Sequence, residues 1–429
     1  MTMVAPAPGL STLAAVVGPA AIRPGSVADS IDGITPEAVV VPDSVEAAAR
    51  ALAGANQARL RIAPRGGGTK IDWGARPTGV DLVLSTERLN RVIEHAAGDM
   101  TVVVQAGVRL ADLQAELARA DQFLALDPPW PERATVGGLI ATNDSGPRRL
   151  RYGSLRDMLI GITIARADGT LARGGGKVVK NVAGYDLPKL FTGSLGTLGL
   201  IVEAVFRLYP RPPASRTLLL EGAAPDAVQA AVLKLLNSAL VPSAMEVICP
   251  AVGSAMYRLA VRFETVATAA DAQVQQAERL LTQPGIVKRV LSGGEESGFW
   301  SEVDALWTGG QAIVKLTVLP GQVAAALQAI EEAAARSGQS AAAGGRAGNG
   351  VLFAFLSGDD DAVVAAVGWL RERMAAMDGR AVVQAAPVAV KERVDVWGPP
   401  GDALPLMRRV KAEFDPKGIL NPGRFVGGI

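Results

Sequence analysis

Apolar residues along this chain change their spacing several times, and each change predicts an element. From Pro36, "PEAVVVPDSVEAAARALAGANQARLRIAPRGGGTK" opens with a short apolar strand. It passes through an Asp-Ser helix start into an alanine-rich helix, then a second strand and a glycine loop, a βαβ-like unit. Next, "GVDLVLSTERLNRVIEHAAGDMTVVVQAGVRLADLQAELARA" predicts strands at Leu82–Leu84 and Thr101–Gln105, and a helix from Leu110 with apolar positions at helical intervals. A strand over Leu159–Arg166 leads into an Asp168-Gly169 hairpin turn. After "IVEAVFRLYPRPP", the prolines Pro210, Pro212 and Pro213 punctuate the chain, and a boundary falls near Ala214.

Beyond that boundary, the amphipathic stretches "DAVQAAVLKLLNSAL" and "GQVAAALQAIEEAAARSG" alternate with the strand-like "RLAVRFET" and "AIVKLTVL", an α+β module. The last stretch, "LMRRVKAEFDPKGILNPGRFVGGI", predicts a short helix ended by Asp415-Pro416 and an extended tail that packs back on an earlier domain. The expected division is a loose leader (1–25), a first domain (26–213), a smaller α+β domain (214–385) and a returning segment (386–429).

Composition narrows the function. In 429 residues, 43 Lys and Arg face 42 Asp and Glu, so no broad field points to nucleic acid or an anionic membrane. Any anion binding must come from local loops. The one cysteine, Cys249, permits no internal disulfide and cannot hold an iron–sulfur cluster; it fits a cytoplasmic protein, peripheral to the membrane at most through a complex. No uninterrupted apolar run reaches the ~18 residues of a membrane span. The single histidine, His95, rules out every two-histidine metal site. It sits in "RVIEHAAGDM", which reads as a polar turn between strands, and receives no catalytic role.

Glycine then becomes the leading signal. "RGGGKVVKNVAGYDLPKLFTGSLGTLGLI" resembles a phosphate loop at first sight, but Leu171 stands where a Walker A loop needs its first glycine and Val178 replaces the hydroxyl residue. No Gly-x-Gly-x-x-Gly dinucleotide fingerprint occurs either. What remains is a set of separated loops, "PRGGGTK", "TVGGLIATNDSG" and "GSLGTLG". Their amides can approach an extended dinucleotide closely, though each alone reads equally well as a tight turn.

With "RYGSLRD" and "FDPKGILNPGRF", these motifs in this order resemble the FAD-binding oxidoreductases of the vanillyl-alcohol oxidase and p-cresol methylhydroxylase superfamily, and most closely the FAD-binding subunits of bacterial glycolate oxidases. The resemblance covers about Pro36–Pro210 and the tail. It implies an α+β fold: a two-subdomain FAD-binding domain followed by a smaller α+β cap domain, with the C-terminal segment returning to the FAD domain. It also implies that Arg65, Gly66, Gly67, Gly68, Thr69 and Lys70 hold the FAD pyrophosphate, where donors around a doubly negative group form charge-assisted bonds. Gly137, Gly138, Thr142, Asn143, Gly146 and Tyr152 would line the flavin and phosphates, Gly196, Gly199, Ile201 and Val202 the adenine end, and Asn421 and Gly423 would return from the tail. Relatives that attach the flavin covalently use a histidine in the first loop; this loop has none, so the FAD is expected to be noncovalent.

Related 2-hydroxy-acid dehydrogenases hold a metal in a motif resembling Gly-His-x-Gly-Asp-Gly-Asn-x-His. This chain reads "GRAGNGVLF", with Arg346 and Phe353 at the two histidine positions, and an ungapped match puts Ala386 and Pro387 at a later Glu-His pair. The resemblance therefore implies a noncovalent FAD subunit of a multi-subunit glycolate (2-hydroxy acid) oxidase or dehydrogenase, beside a second, catalytic FAD-binding subunit and an iron–sulfur subunit. A self-sufficient FAD-dependent dehydrogenase and a scaffold with a vestigial FAD site are the alternatives. Arg148, Arg149 and Arg151 read either as carboxylate binders or as a basic turn or partner contact, Lys177 and Lys180 as FAD contacts or charged turns, and Trp397 as flavin lining or tail packing.

Overall fold

The computed structural model describes residues 8–177, 184–253, 256–282 and 285–429. Two sheets build the first part. A four-stranded sheet runs in the order Ile22–Pro24, Ala38–Val40, Leu82–Ser85, Ile62–Arg65; the first pair is antiparallel and the others are parallel. The helix Val45–Ala58 links two of the parallel strands. Ser44 caps it by accepting from the Ala47 amide, and small residues such as Ala48, Ala51 and Ala55 let it sit close to the sheet around Leu52. A five-stranded antiparallel sheet follows, in the order Val92–Ala96, Thr101–Gln105, Leu200–Arg207, Leu159–Ala165, Leu171–Gly175. The expected hairpin turn joins its last two strands, with Gly169 at φ 85° and the Thr170 amide donating to Asp168 Oδ1.

Two expectations need correction. Residues 8–24 are not a loose leader: Pro8–Val17 is a helix whose Leu13 is buried near Gly54, and Ile22–Pro24 is a strand of the sheet. His95 is in a strand rather than a turn, opposite Val102, with its Nε2 2.9 Å from Gln122 Oε1. A single polar letter between two valine-rich runs gave no sign of that pairing.

One eight-stranded antiparallel sheet dominates residues 214–385. Its order is Val287–Leu291, Ala214–Ala223, Tyr257–Thr265, Ala244–Cys249, Ser340–Arg346, Val351–Ser357, Ala312–Thr317, Arg380–Ala385. Helices Pro225–Leu236, Val323–Ser337 and Asp360–Ala375 bury their apolar faces on one side of it, against residues such as Val247, Val314 and Leu352. Strand alternation turns the other residues, Arg262, Glu264, Glu246, Arg346, Phe353 and Lys315, to the opposite side, toward the first two sheets. There Trp307, Phe353 and Phe355 meet Trp73 and Trp130 in one aromatic cluster.

Charge locks the same interface. Arg148 forks onto Glu264 (2.7 Å at the closest pair), Arg151 donates to the Glu264 carbonyl, and Arg262 reaches Asp127 at 2.8 Å while its guanidinium lies over Trp300. Burial raises the Glu264 carboxyl, but Arg262 and Arg148 outweigh it and hold the group down at about 2. The tail closes the structure: Ile62 N–H donates to Ile419 O, and Asn421 N–H to Ile62 O, so residues 419–421 run beside the strand Ile62–Arg65.

Candidate functional site

The loop after the strand Ile62–Arg65 lies at the carboxyl end of a parallel sheet, where ligands of α/β folds collect. Around it is a cavity lined by Arg65–Lys70, Thr135, Gly137, Gly138, Thr142, Gly196, Gly199, Ile201, Asn421 and Arg424, among others. A second, wider cleft shares Arg65–Gly68, Ile71 and Thr135 with it, so the two make one elongated groove.

Glycine at this loop is a packing requirement. A Cβ on Gly67 would stand 1.7 Å from the Arg133 carbonyl oxygen, and one on Gly66 would be 2.0 Å from Thr135 Oγ1. Thr135 instead accepts the Gly67 N–H at 3.2 Å, while the amides of Gly68, Thr69 and Lys70 make no hydrogen bond among the described residues. Free amides on a tight loop facing a long groove suit a pyrophosphate-bearing ligand. Across the groove, Gly196 takes φ 70° against Pro64, and Asn421 Nδ2 donates to Leu195 O at 2.6 Å, joining the tail to the "GSLGTLG" loop. Arg424, buried, donates to the carbonyls of Ile71 and Trp73 and so fixes the far side of the first loop.

Lys70 turns away from the loop's amides. Its Nζ lies 3.2 Å from Asp144 Oδ2 and over the rings of Trp73 and Trp130, a buried ion pair in an aromatic box. Beyond it a third, small cavity is lined by Trp73, Thr142, Asn143, Asp144, Ser145, Arg149, Lys315, Arg346, Val351, Phe353 and Gln384. Burial, then Arg346 and Arg149, bring the Lys315 ammonium down to about 8. Thr142 belongs to both this chamber and the long groove.

Known proteins account for this arrangement. Residues 36–175 match the FAD binding domain family, and residues 399–425 match the C-terminal domain of FAD linked oxidases. Glycolate oxidase subunit GlcD of Bacillus subtilis is 29% identical, with 91% of this chain and 89% of that protein covered. An FAD-linked oxidoreductase of Mycobacterium tuberculosis is 30% identical over 90% of both chains. This chain is an FAD-linked oxidoreductase. The crystal structure of p-cresol methylhydroxylase with substrate bound shares its fold, with a TM-score of 0.78, 16% identity, and 97% of this chain and 96% of that one covered.

The residues of the oxidoreductase fit its cofactor: the loop with its free amides lines both parts of the groove, and a methyl group on Gly66 or Gly67 would have no room. FAD, when bound, supplies a two-electron acceptor. Of the residues expected around it, Arg65–Lys70, Gly137, Gly138, Thr142, Gly196, Gly199, Ile201 and Asn421 line the long groove, and Asn143 lines the adjoining chamber.

Four line none of these three cavities. Val202 points into the core shared by the two sheets, on the face of its strand opposite Ile201. Tyr152 packs edge-on against Phe123 and Tyr209. Gly146 is small because a Cβ there would be 1.8 Å from the Asp127 carbonyl oxygen, and Gly423 (φ 87°) fits against Thr78. The arginine loop divides, with Arg148 and Arg151 holding Glu264 and Arg149 lining the chamber. Lys177 pairs with Glu94, Trp397 donates to the Arg424 carbonyl and packs on Phe425, and Lys180 lies outside the described residues.

Residues not anticipated from the sequence are Thr135, Arg424, Asp144 and Lys315. Thr135 stood in the quoted "TVGGLIATNDSG" motif, beside the glycines that drew attention. A lysine inside the apolar strand pattern "AIVKLTVL" was the available signal for Lys315.

Proposed function

We propose that this flavoprotein is a noncovalent FAD-binding subunit of a multi-subunit oxidase or dehydrogenase for glycolate or a related 2-hydroxy acid, working beside a second FAD-binding catalytic subunit and an iron–sulfur subunit, without a metal-assisted substrate site of its own. The observation that carries this reading is how the two metal-ligand positions are filled. Arg346 is buried, donates to the Ser145 carbonyl at 2.7 Å and stacks on Phe353, so a cation and a phenyl ring occupy the place of two imidazoles. Similarity to a glycolate oxidase subunit along nearly the whole chain supports the complex. For noncovalent attachment, the support is that His95, in the five-stranded sheet, is engaged with Gln122 outside it and Cys249 is buried in the cap sheet.

Within this reading the chain's own residues do three things: the loop Arg65–Lys70 holds the pyrophosphate, residues 419–424 clamp that loop, and Arg148 with Arg262 seat the cap over it. A second reading, a self-sufficient dehydrogenase, is favoured by the polar chamber beside the groove. Purification of the chain alone separates the two. The expected result is protein that releases intact FAD on acid precipitation and is not reduced by glycolate or lactate, but that recovers two further subunits from its native source. Stoichiometric divalent metal in the pure chain, or reduction of its flavin by a 2-hydroxy acid without partners, overturns the proposal.

A further inference from the structure

Three cations share the chamber beside the groove, and among the described residues none has a counter-ion within ion-pairing distance. Strand alternation puts Lys315 and Arg346 on one face of the cap sheet, with Phe353 on the strand between them; Arg149 arrives from the opposite domain. Among the described residues none of the three lies within ion-pairing distance of a carboxylate. Lys315 and Arg149 make no side-chain hydrogen bond there, and Arg346, 4% exposed, uses one N–H on Ser145 while its Nε stays buried without a partner.

Nearby acids act on them only from beyond ion-pairing distance, Asp304 on Arg346 and Asp144 on Lys315 among them. Asp144, the one carboxylate in the lining, is paired to Lys70. Asp157, near Arg149, accepts from Ser154. Glu246, opposite Arg346 in the strand register, is buried, and desolvation raises its carboxyl to about 8 in spite of Arg346. Buried charge without a partner is costly, so the arrangement is built for an anion that arrives from outside.

We infer that this chamber binds a small dicarboxylate anion, with one carboxylate on the guanidinium groups of Arg149 and Arg346 and the other on Lys315. Guanidinium matches a planar carboxylate bidentately, whereas an ammonium serves as a point charge, so the two kinds of cation suit two separate acid groups. Trp73, Val351 and Phe353 give the chamber apolar walls for the carbon chain that joins them, which inorganic phosphate lacks. Thr142 places the bound acid against the FAD groove. Oxidation of the diacid at this chamber belongs to the second, self-sufficient reading above; its binding rests on neither reading.

The test is titration of the FAD-loaded protein with malonate, succinate, acetate and inorganic phosphate, followed by flavin absorbance and by heat. Malonate or succinate should bind at least about tenfold more tightly than acetate or phosphate. Lys315→Met and Arg149→Gln should each erase that margin while flavin content and circular dichroism stay as in the parent. Equal affinity for acetate, phosphate binding as tight as either diacid, or a preference that survives both substitutions overturns the inference. Flavin reduction by 2-hydroxy acids and recovery of partner subunits are measured separately, so the functional reading and the diacid site can each fail alone.

Discussion

The FAD groove and the adjoining chamber solve opposite problems. The groove is built from backbone: glycines crowd one loop, the amides of Gly68, Thr69 and Lys70 have no partner among the described residues, and flanking loops and the tail hold it in that shape. The chamber is built from side chains, three cations brought from two domains onto apolar walls. A backbone site fails when a methyl group is added. A side-chain site fails when a charge is removed, and its formation costs stability until a ligand arrives.

The largest expected effect breaks the backbone half. Gly67→Val, with a Cβ driven against the Arg133 carbonyl, should lower the flavin-to-protein ratio by at least about tenfold, read from the absorbance of purified protein. Next comes the seam between the two halves. Arg148→Ala leaves Glu264 buried beside an incomplete partner set and should cost about 3–5 kcal/mol in denaturant unfolding at neutral pH. Because the folded Glu264 pKa, about 2, lies below its unfolded value, this contribution is present above the ordinary carboxylate range and is lost as pH falls from there through about 2.

Two smaller effects sharpen the chamber half, and both have a sign. Glu246 binds its proton more tightly when folded, its pKa being raised to about 8 by burial and by Asp127 and Asp304 against Arg346 and Arg262. Glu246→Gln should therefore match the parent below about pH 4.5 and gain stability as pH rises toward 8, by roughly 3 kcal/mol at neutral pH, measured as unfolding free energy against pH. Lys315 does the reverse, since its folded pKa of about 8 lies below the unfolded value. Its cost is full below pH 8 and fades as pH rises to about 10.5, so Lys315→Met should stabilise the ligand-free protein by about 3 kcal/mol at pH 7 and by nothing near pH 11. The smallest effect is at His95, which belongs to neither half. His95→Gln should leave flavin loading unchanged and cost about 1 kcal/mol or less, for the single contact to Gln122.

The same contrast explains what could be read from the sequence. The groove was legible because close backbone approach demands glycine at fixed places, so "PRGGGTK" and "GSLGTLG" carry the geometry within a few letters. The strands Thr101–Gln105 and Leu82–Ser85 were legible because their apolar runs are continuous, too short for a helix and bounded by turn residues. The chamber was not legible as a whole, although Arg149 and Arg346 were each singled out. Arg149 sits beside Arg148 and Arg151, and nothing local says that only one of the three turns inward. Lys315 and Arg346 meet through a strand order in which 340–346 and 312–317 flank 351–357, a long-range pairing with no local signature. The leader was misread because its helix depends on burying Leu13 against the rest of the fold, while its own composition of small apolar residues and prolines suggests none.

The contacts made by residues 419–424 set an order of events during synthesis. The loop Arg65–Lys70 leaves the ribosome roughly 350 residues before the segment that braces it through Ile62, Ile71 and Trp73, at chain growth of about 5–20 residues per second. For that interval the nascent chain carries a cofactor loop without its brace, so tight capture of FAD is one of the last steps in making this protein and marks a chain whose distant segments have already come together.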